Sequence, residues 1–377
     1  MRVLAIVPSV YDTSPGQRFR LEQWEPLLRE RGVEISYAPF ENDELHSVLY
    51  QTGKLPQKLA QVMKAFARRW ASINSASDYD LCYIFREAAL LGPPLFERLL
   101  GKKQIPIVFD FDDAIFVSYR SPSNGYLSYL KFAGKAKTIC RISSHVMAGN
   151  PYLAAYASQY NQNVTVIPTT IDTEKYAALH RSNSSGAVPV IGWTGSFSTV
   201  QHLDTLRGAL RKLARTDRFR LRVIGTPQYE LEGVEVEAMP WRSETEIDDL
   251  QPIDIGIMPL PDDAWSRGKC GLKALQFMAL GIPVVCSPIG VNTVIVQDGE
   301  NGFIAATEEE WIQKLRQLLQ SAQLRNRFGQ TARAAVEQTY SARTQAPRVY
   351  EIFRGLVNHA AELVGAETSP TLVDLQS

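Results

Sequence analysis

Arg267, Lys269 and Lys273 crowd three positive charges into one short glycine-containing stretch. The pattern around them predicts a helix that begins near Gly271 and ends at Gly281, followed by a valine-rich strand. The first N–H groups of a helix lack partners within the helix and form the positive end of its dipole. Such groups, together with lysine or arginine, favour a bound phosphate, so the stretch predicts an anion site. The alternative is that the three cations are only solvated.

The bulk composition restricts what the rest of the chain can be. A chain of 377 residues exceeds one hydrophobic core, so two domains are expected. Its 40 basic and 40 acidic residues cancel, which argues against broad electrostatic binding of nucleic acid. Neither the four cysteines nor the five histidines have a paired or metal-ligand spacing, so no disulfide framework or metal site is expected. With no signal segment and no apolar run of about 18 residues, a cytoplasmic protein is expected.

The chain opens with the pattern of a parallel sheet. Within residues 2–37 an apolar strand, an amphipathic helix and a second strand follow one another. This order predicts an α/β domain with a doubly wound sheet, in which ligands bind at the carboxyl ends of the strands. Gly16, Arg18 and Arg20 follow the first strand and are therefore candidates for ligand contact. They are equally consistent with a helix start that faces solvent.

Three carboxylates, Asp110, Asp112 and Asp113, follow a strand predicted at residues 105–109. Crowded carboxylates are costly unless they bind a ligand, cap a helix or share protons. One interpretation is that Asp112 or Asp113 caps a following helix. The other is that one of them accepts a hydrogen bond from a substrate hydroxyl or acts as a base. The sequence leaves both open.

After a polar linker at residues 181–186 the strand–helix pattern starts again. Gly195 and Ser196 follow the first strand of this second half, as Gly16 does in the first half. Gly225 follows a later strand. The sequence therefore predicts two Rossmann-like, doubly wound domains that face each other across a central cleft.

The predicted domains span residues 1–180 and 187–340, and residues 363–377 are expected to form a loose tail. Between the second domain and the tail, residues 347–362 have the periodicity of an additional helix.

Residues 54–70 have the pattern of a basic amphipathic helix. Apolar side chains recur at helical spacing at Leu55, Leu59, Val62, Phe66 and Trp70, and five cations surround them: Lys54, Lys58, Lys64, Arg68 and Arg69. Such a helix can lie on an anionic membrane surface, which would make the protein peripheral at the inner membrane face. The alternative is a helix that packs on the core and exposes a solvated basic side.

Four segments together resemble glycosyltransferase family 4, the retaining nucleotide-sugar enzymes of the GT-B fold. They are residues 166–172 (VIPTTID), 191–196 (IGWTGS), 271–285 and 290–303. The resemblance implies a nucleotide-sugar donor on the second domain and a glycan, lipid-linked or small-molecule acceptor approaching from the first. It implies neither a metal ion nor a cofactor besides the donor. It also implies that helix 347–362 crosses back to complete the first domain.

The resemblance assigns roles to the candidate residues. Lys269 and Lys273, with Arg267 behind them, would stabilise the leaving nucleoside diphosphate. Asp112 or Asp113 would address the acceptor hydroxyl, so Asp112, Asp113, Lys269 and Lys273 are the catalytic candidates. The donor-binding candidates are Gly16, Arg18, Gly195, Ser196, Gly225, Arg267, Cys270, Gly271, Leu272 and Gln276.

The chain departs from this family at functional positions. Gly268 and Gln276 stand where the family usually has two glutamates, and Asp112 stands where it often has a histidine. An amide can still hydrogen-bond ribose hydroxyls. These departures motivate a second hypothesis, a non-catalytic nucleotide-sugar binder or assembly protein of the same fold.

Other interpretations depend on isolated residues. A Rossmann oxidoreductase is excluded because neither half has the G-x-G-x-x-G spacing after its first strand. Trp193, Trp241 and Tyr229 could each stack on a base, but core packing is the favoured interpretation for any one of them. The sequence predicts neither the base, the sugar nor the oligomeric state.

Overall fold

The computed structural model describes residues 1–49, 54–117, 132–177, 188–196 and 199–368. The predicted linker at 181–186, the predicted boundaries at 180 and 187, and residues 369–377 of the predicted tail lie outside these ranges.

The first half is built on a six-stranded parallel sheet with the strand order β2-β1-β3-β4-β5-β6. Its strands are β1 (Arg2–Val7), β2 (Glu34–Pro39), β3 (Leu81–Phe85), β4 (Ile107–Phe111), β5 (His145–Ala148) and β6 (Val164–Val166). Strands β3 and β4 are buried along their whole length, because helices cover both faces of the sheet. This explains why their sequences are continuous apolar runs.

Short helices and one long helix, α4, accompany this sheet in the described part of the first half. They are α1 (Pro15–Gln17), a π-helical turn (Arg18–Glu22), α2 (Gln23–Arg29), α3 (Asp43–Leu49), α4 (Leu55–Asn74), α5 (Leu95–Leu100), α6 (Lys135–Ile142) and α7 (Pro151–Ala157). A 3₁₀ turn (Ser75–Asp78) extends α4. The helix predicted after the first strand is thus interrupted by a π-helical turn, which the apolar periodicity did not reveal.

The second half contains another six-stranded parallel sheet, with the order β12-β11-β10-β7-β8-β9. Its strands are β7 (Val190–Thr194), β8 (Arg220–Ile224), β9 (Glu235–Met239), β10 (Ile255–Met258), β11 (Val284–Cys286) and β12 (Gly302–Ile304). Counted from β7, this is the 3-2-1-4-5-6 order of a Rossmann fold. Ligands bind such a sheet where the strand order reverses, which is beside β7 and β10.

The helices of the second half are mostly short around the cleft and long on the outside. They are α8 (Val200–Asp204), α9 (Arg207–Ala214), α10 (Glu246–Leu250), α11 (Ala264–Arg267), α12 (Leu272–Ala279), α13 (Asn292–Ile295), α14 (Glu308–Gln320) and α15 (Ala322–Ala335), followed by a π-helical turn (Val336–Tyr340). Helix α12 has Gly271 as its N-cap, and Gly281 has a positive φ of 70° just beyond its end. The predicted position of this helix is confirmed.

The last helix, α16 (Ala342–Thr368), returns to the first half. Its Ala346, Val349 and Phe353 are buried against the first sheet, and the Phe353 ring lies 6.1 Å from the ring of Tyr83. The helix begins at Ala342, earlier than the predicted start at residue 347, and it continues to Thr368, so residues 363–368 of the predicted loose tail are helical. No described helix is long and apolar enough to cross a lipid bilayer.

Candidate functional site

A cavity of about 670 Å³ lies between the two halves. The loops after β1, β3 and β4 form one wall, and the loops after β7, β8 and β9 together with the start of α12 form the other. Because all strands within each sheet are parallel, their carboxyl ends meet at this cleft. The strand order reverses between β1 and β3 in the first sheet and between β7 and β10 in the second. These two points therefore face each other across the cleft.

The second-half wall carries the positive charge. The Nζ atom of Lys273 lies 4.3 Å above the ring of Trp193 and 3.5 Å from Thr199 Oγ1. Burial, reinforced by the charge of Lys269, lowers the pKa of Lys273 to about 7. His202 is buried at the same wall, and burial, then the charges of Lys273 and Lys269, lower its pKa to about 4. Its imidazole is therefore neutral at neutral pH, and an anion would relieve the repulsion between the lysines.

The first-half wall carries two carboxylates after β4. Arg86 donates to Asp112 Oδ1 at 2.6 Å and to Asp113 Oδ2 at 2.8 Å, and Lys269 Nζ donates to Asp113 Oδ1 at 2.7 Å. Burial raises the pKa of Asp112, but the charge and hydrogen bond of Arg86, with Arg20 and Lys269, hold it below its usual value. Asp112 is therefore an ionised hydrogen-bond acceptor. Neither carboxylate caps a helix among the described residues, so the structure favours the cleft interpretation of these two side chains.

Arg86, which orients both carboxylates, has an unusual backbone. It follows β3 directly, and its φ of 58° lies in the left-handed region that residues with a side chain seldom adopt. Strain of this kind persists where the surrounding contacts compensate for it, and it is concentrated at functional sites. Here the ion pairs with Asp112 and Asp113 provide such contacts.

Close approach of the two halves explains the glycine at position 268. A Cβ atom on Gly268 would lie 2.5 Å from the Cβ and 2.8 Å from the backbone nitrogen of Ala114 in the first half. Asn150 Nδ2, also from the first half, donates to the carbonyl oxygens of Gly268 and Lys269 at 3.0 Å each. In this arrangement a glutamate at position 268 has no room. Gly16 is similarly confined, since its Cβ would lie 2.6 Å from Arg86 Nη2.

A buried carboxylate, that of Glu246, forms the centre of a third cluster in the cleft wall. Its Oε1 atom accepts from Trp241 Nε1 at 2.9 Å and from Gln276 Nε2 at 3.1 Å. Its Oε2 atom accepts from the Tyr176 hydroxyl at 2.7 Å and from Arg18 Nη2 at 3.2 Å. Gln276 Nε2 also donates to the Tyr176 hydroxyl at 3.0 Å. Four donors thus neutralise one carboxylate next to the cavity.

The structure brings twelve of the predicted site residues together in the cavity wall. They are Gly16, Asp112, Asp113, Gly195, Ser196, Gly225, Lys269, Cys270, Gly271, Leu272, Lys273 and Gln276. Trp241 also lines the cavity, whereas the Trp193 ring is fully buried beneath Lys273.

Three predicted contacts are not in the cavity wall. Arg18 is buried beside it, where its guanidinium pairs with Asp12 and Glu246. Arg267 is exposed, pairs with Asp262 at 2.8 Å and lines a separate cavity of about 350 Å³. Their predicted direct contacts with the donor are therefore wrong for this arrangement, because other carboxylates hold both guanidinium groups.

Arg20 is a third such correction. It is fully buried, where its Nε donates to Asp110 Oδ2 at 2.7 Å and its Nη2 to Asp110 Oδ1 at 2.6 Å. Arg20 Nη1 also donates to the carbonyl oxygen of Ile167 at 2.7 Å. This arginine joins the loop after β1 to β4 and cannot reach a ligand in the cleft.

Sequence reasoning missed Arg86, His202 and Glu246 as residues of the cavity wall. A usable signal existed only for Arg86, which is the first residue after a continuous apolar strand, at the edge where ligands bind. Helical periodicity gives no sign that His202 or the first residue of α10 faces a cleft. Among the described residues, no three His, Cys, Asp or Glu side chains are grouped so that they could hold a metal ion.

Comparison with known proteins agrees with this arrangement. The family model described as "Glycosyl transferases group 1" matches residues 188–321. No curated protein sequence matches the chain. Sucrose-phosphate synthase from Thermosynechococcus elongatus superposes with a TM-score of 0.69 at 15% identity, over 95% of this chain and 100% of that one.

Two further solved structures are similar over nearly the whole chain. A glycosyltransferase from Rickettsia africae gives a TM-score of 0.66 at 15% identity, over 94% of this chain and 98% of that one. HepE from Anabaena, solved in complex with UDP and glucose, gives 0.65 at 16% identity, over 94% and 100%. The chain has the GT-B fold, with two Rossmann-like domains, and residues 188–321 match the group 1 glycosyltransferases.

Proposed function

We propose that the protein transfers a sugar from a nucleoside-diphosphate donor to a hydroxyl group of an acceptor. The observation that carries this proposal is the opposition of charges across the cleft. Lys269 and Lys273 lie at the start of α12 on one side, and Asp112 and Asp113 lie on the other. The match of the second half to group 1 glycosyltransferases supports the same chemistry.

On the donor side, the diphosphate becomes a leaving group that gains negative charge during transfer. Lys273 and Lys269, with the free N–H groups at the start of α12, are oriented before the reaction begins. Such fixed donors in a cleft of low dielectric stabilise the developing charge without a metal ion. We therefore propose a metal-independent transfer from a hexose-type donor, supported by the HepE complex with UDP and glucose.

On the acceptor side, ionised Asp112 would accept a hydrogen bond from the attacking hydroxyl. Arg86 keeps this carboxylate charged and fixed, and Lys269 connects Asp113 to the donor side. We propose a glycan, lipid-linked or small-molecule acceptor. Retention of the anomeric configuration is proposed from the resemblance to family 4.

The test begins with a thermal-shift panel of UDP, GDP, ADP and their sugar conjugates. A bound donor should raise the melting temperature by mass action. Release of the nucleoside diphosphate should then fall by about 100-fold or more in the double variant Lys269→Ala and Lys273→Ala. The matched control is Arg267→Ala, which removes a cation from the same stretch outside the cleft and should leave turnover unchanged. Unchanged turnover in the double variant would refute the assignment.

The second candidate function is a non-catalytic nucleotide-sugar binder, and the packing of Gly268 on Ala114 favours it. With no carboxylate at position 268, one group that faces the sugar in the resembling family is absent. The same panel separates the two functions. A binder shifts in melting temperature with a nucleotide sugar but consumes none across all candidate acceptors.

We also propose that α4 contacts the surface of an anionic membrane. Leu59, Met63 and Trp70 are 63%, 62% and 50% exposed, and they lie on one stripe of this helix. Residues 54–77 contain no aspartate or glutamate, whereas Lys64 and Arg68 lie along α4. Lys64 lies 3.9 Å from the exposed carboxylate of Glu44 on α3, and Arg68 donates to the carbonyl oxygen of Phe40 at 3.2 Å. Exposed apolar side chains beside these cations, on a helix that itself has no carboxylate, fit a lipid surface.

A further inference from the structure

The amide of Gln276 is held in one orientation by its neighbours. Its Nε2 atom donates one hydrogen to Glu246 Oε1 at 3.1 Å and the other to the Tyr176 hydroxyl at 3.0 Å. A carboxylate can only accept, so the nitrogen, and not the oxygen, of the amide must face Glu246. Both amide hydrogens are therefore committed to the protein.

The oxygen of the same amide remains for a ligand. Gln276 lines the cavity, and the described residues supply no hydrogen-bond donor to its Oε1 atom. Toward the cleft the side chain is thus an acceptor only, as a carboxylate would be. A hydroxyl group is the ligand chemistry that complements such an acceptor.

The partners of Glu246 explain why residue 276 is an amide. A carboxyl group at position 276 would face that of Glu246 at about 3 Å. Two carboxyl groups at that distance cannot both be ionised, because their negative charges repel each other. Glu246 is itself fixed by Trp241 from the loop after β9 and by Arg18 from the first half. The orientation of the amide therefore depends on both halves of the molecule.

We propose that Glu246 and Gln276 act as one hydroxyl-reading pair, in which Glu246 is a positioning residue that turns the Gln276 oxygen toward a ribose hydroxyl of the bound nucleotide. This inference rests on the proposed function, because it takes a nucleoside diphosphate as the ligand. Within this pair, Glu246 carries the negative charge and Gln276 makes the contact with the ligand.

The experiment exchanges the two groups. The variants are Glu246→Gln, Gln276→Glu and the double exchange, and calorimetry measures Kd for the nucleoside diphosphate that binds and for its 2′-deoxy and 3′-deoxy forms. In the unaltered protein, one of the deoxy forms should bind about tenfold more weakly. Each single variant should lose this discrimination, and the double exchange should recover it, because one carboxylate and one amide face each other again.

The pH profile separates a positioning role from a merely structural one. In Gln276→Glu the two carboxylates are coupled, so one of them holds a proton to a higher pH. Its nucleotide affinity should therefore change between about pH 5 and pH 8 relative to the unaltered protein, whereas the double exchange should not show this difference.

Two milder variants guard against loss of the fold. Trp241→Phe removes one donor to Glu246 and should lower the discrimination less than Glu246→Gln does, because Arg18 and Tyr176 still hold the carboxylate. Tyr176→Phe releases one amide hydrogen of Gln276 and should lower the discrimination several-fold. Undiminished discrimination in Glu246→Gln, Gln276→Glu and Tyr176→Phe would overturn the inference and leave the proposed function intact. Absence of any nucleoside diphosphate binding would overturn both.

Discussion

At the scale of single residues, the ammonium group of Lys273 depends directly on the contents of the cleft. It lies over the ring of Trp193 and beside Lys269, and its pKa is lowered from 10.5 to about 7. The causes are burial and the like charge of Lys269, and the negative charge of a bound diphosphate opposes both. The charge of Lys273 is therefore coupled to ligand binding.

This coupling predicts proton uptake on nucleotide binding. At pH 8 free Lys273 is mostly neutral, and a bound diphosphate raises its pKa, so binding should take up nearly one proton. Affinity should consequently fall by up to about tenfold per pH unit above pH 7. Calorimetry in HEPES and in Tris, which differ in ionisation enthalpy, measures the uptake.

The matched control for this prediction is Lys273→Arg. Arginine stays charged at all these pH values, so the proton uptake at pH 8 should vanish even if binding persists. Binding heats that do not differ between the two buffers in the unaltered protein would contradict the coupling.

Single residues also show where sequence reasoning stops. Lys269 and Lys273 were predicted to form an anion site because three cations surround a helix start, and the structure places both lysines in the cavity wall. Arg18 was predicted for the wrong partner, since Glu246, which pairs with it, lies 228 residues away in the sequence. A local pattern identifies a charge, but not the distant group that neutralises it.

At the scale of elements, the cations of α4 form one group in the sequence pattern but lie in two environments in the structure, one buried and one exposed. Arg69 is buried, and its guanidinium donates to the carbonyl oxygens of Ala88 and Ala38 at 2.6 Å and of Val7 at 2.9 Å. The expectation that Arg69 belongs to a solvated or membrane-facing surface is therefore wrong. The exposed cations of the helix are the ones to test.

We expect α4 to bind vesicles that contain phosphatidylglycerol, and not vesicles of phosphatidylcholine alone. Met63→Ser with Trp70→Ser should weaken co-sedimentation because the exposed apolar surface of both side chains would enter the lipid on binding. Lys64→Glu should weaken it by roughly thirtyfold, because it changes the charge by two units at about 1 kcal/mol each.

The control is Lys212→Glu, which reverses an exposed cation of α9 in the second half. Its vesicle binding should match that of the unaltered protein. If the variants of α4 sediment with anionic vesicles as strongly as this control does, the membrane proposal fails.

Other elements differ in how well local patterns define them. Strands β3 and β4 were predictable, because burial on both faces produces uninterrupted apolar runs. The π-helical turn at Arg18–Glu22 was not, since it changes the residues per turn without changing composition. Arg18 and Arg20 both lie in that turn, where they are buried, and neither lines the cavity.

At the scale of the whole molecule, α16 makes the first half depend on the end of the chain. Phe353 is fully buried in the cluster that also contains Tyr83 and Met147. Repeated strand–helix patterns predicted two domains. Only the resemblance suggested that the last helix crosses back, because an apolar helical face does not identify the sheet that covers it.

Phe353→Ala should lower the free energy of unfolding by about 3–5 kcal/mol, since it opens a cavity in the first half. Chemical denaturation measures the change, and hydrogen exchange should show faster exchange in β1 and β3 than in β7 and β10. His359→Ala, at an exposed position of the same helix, is the control and should change stability by less than about 0.5 kcal/mol. Equal stability of the two variants would show that α16 is not part of the first core.

Two described segments at which the chain passes between the halves, one at Ile171 and one at Ser341, are bonded to each other. Ile171 N donates to the carbonyl oxygen of Tyr340 at 2.8 Å, and Ala342 N donates to that of Ile171 at 2.9 Å. A single connecting segment would let the two halves rotate about several axes. Two segments bonded side by side favour rotation about one axis, the line that joins them. We therefore expect the cleft to open by rotation about these two bonded segments, which separates Asp113 from Lys269 and restores the same ion pair on closure.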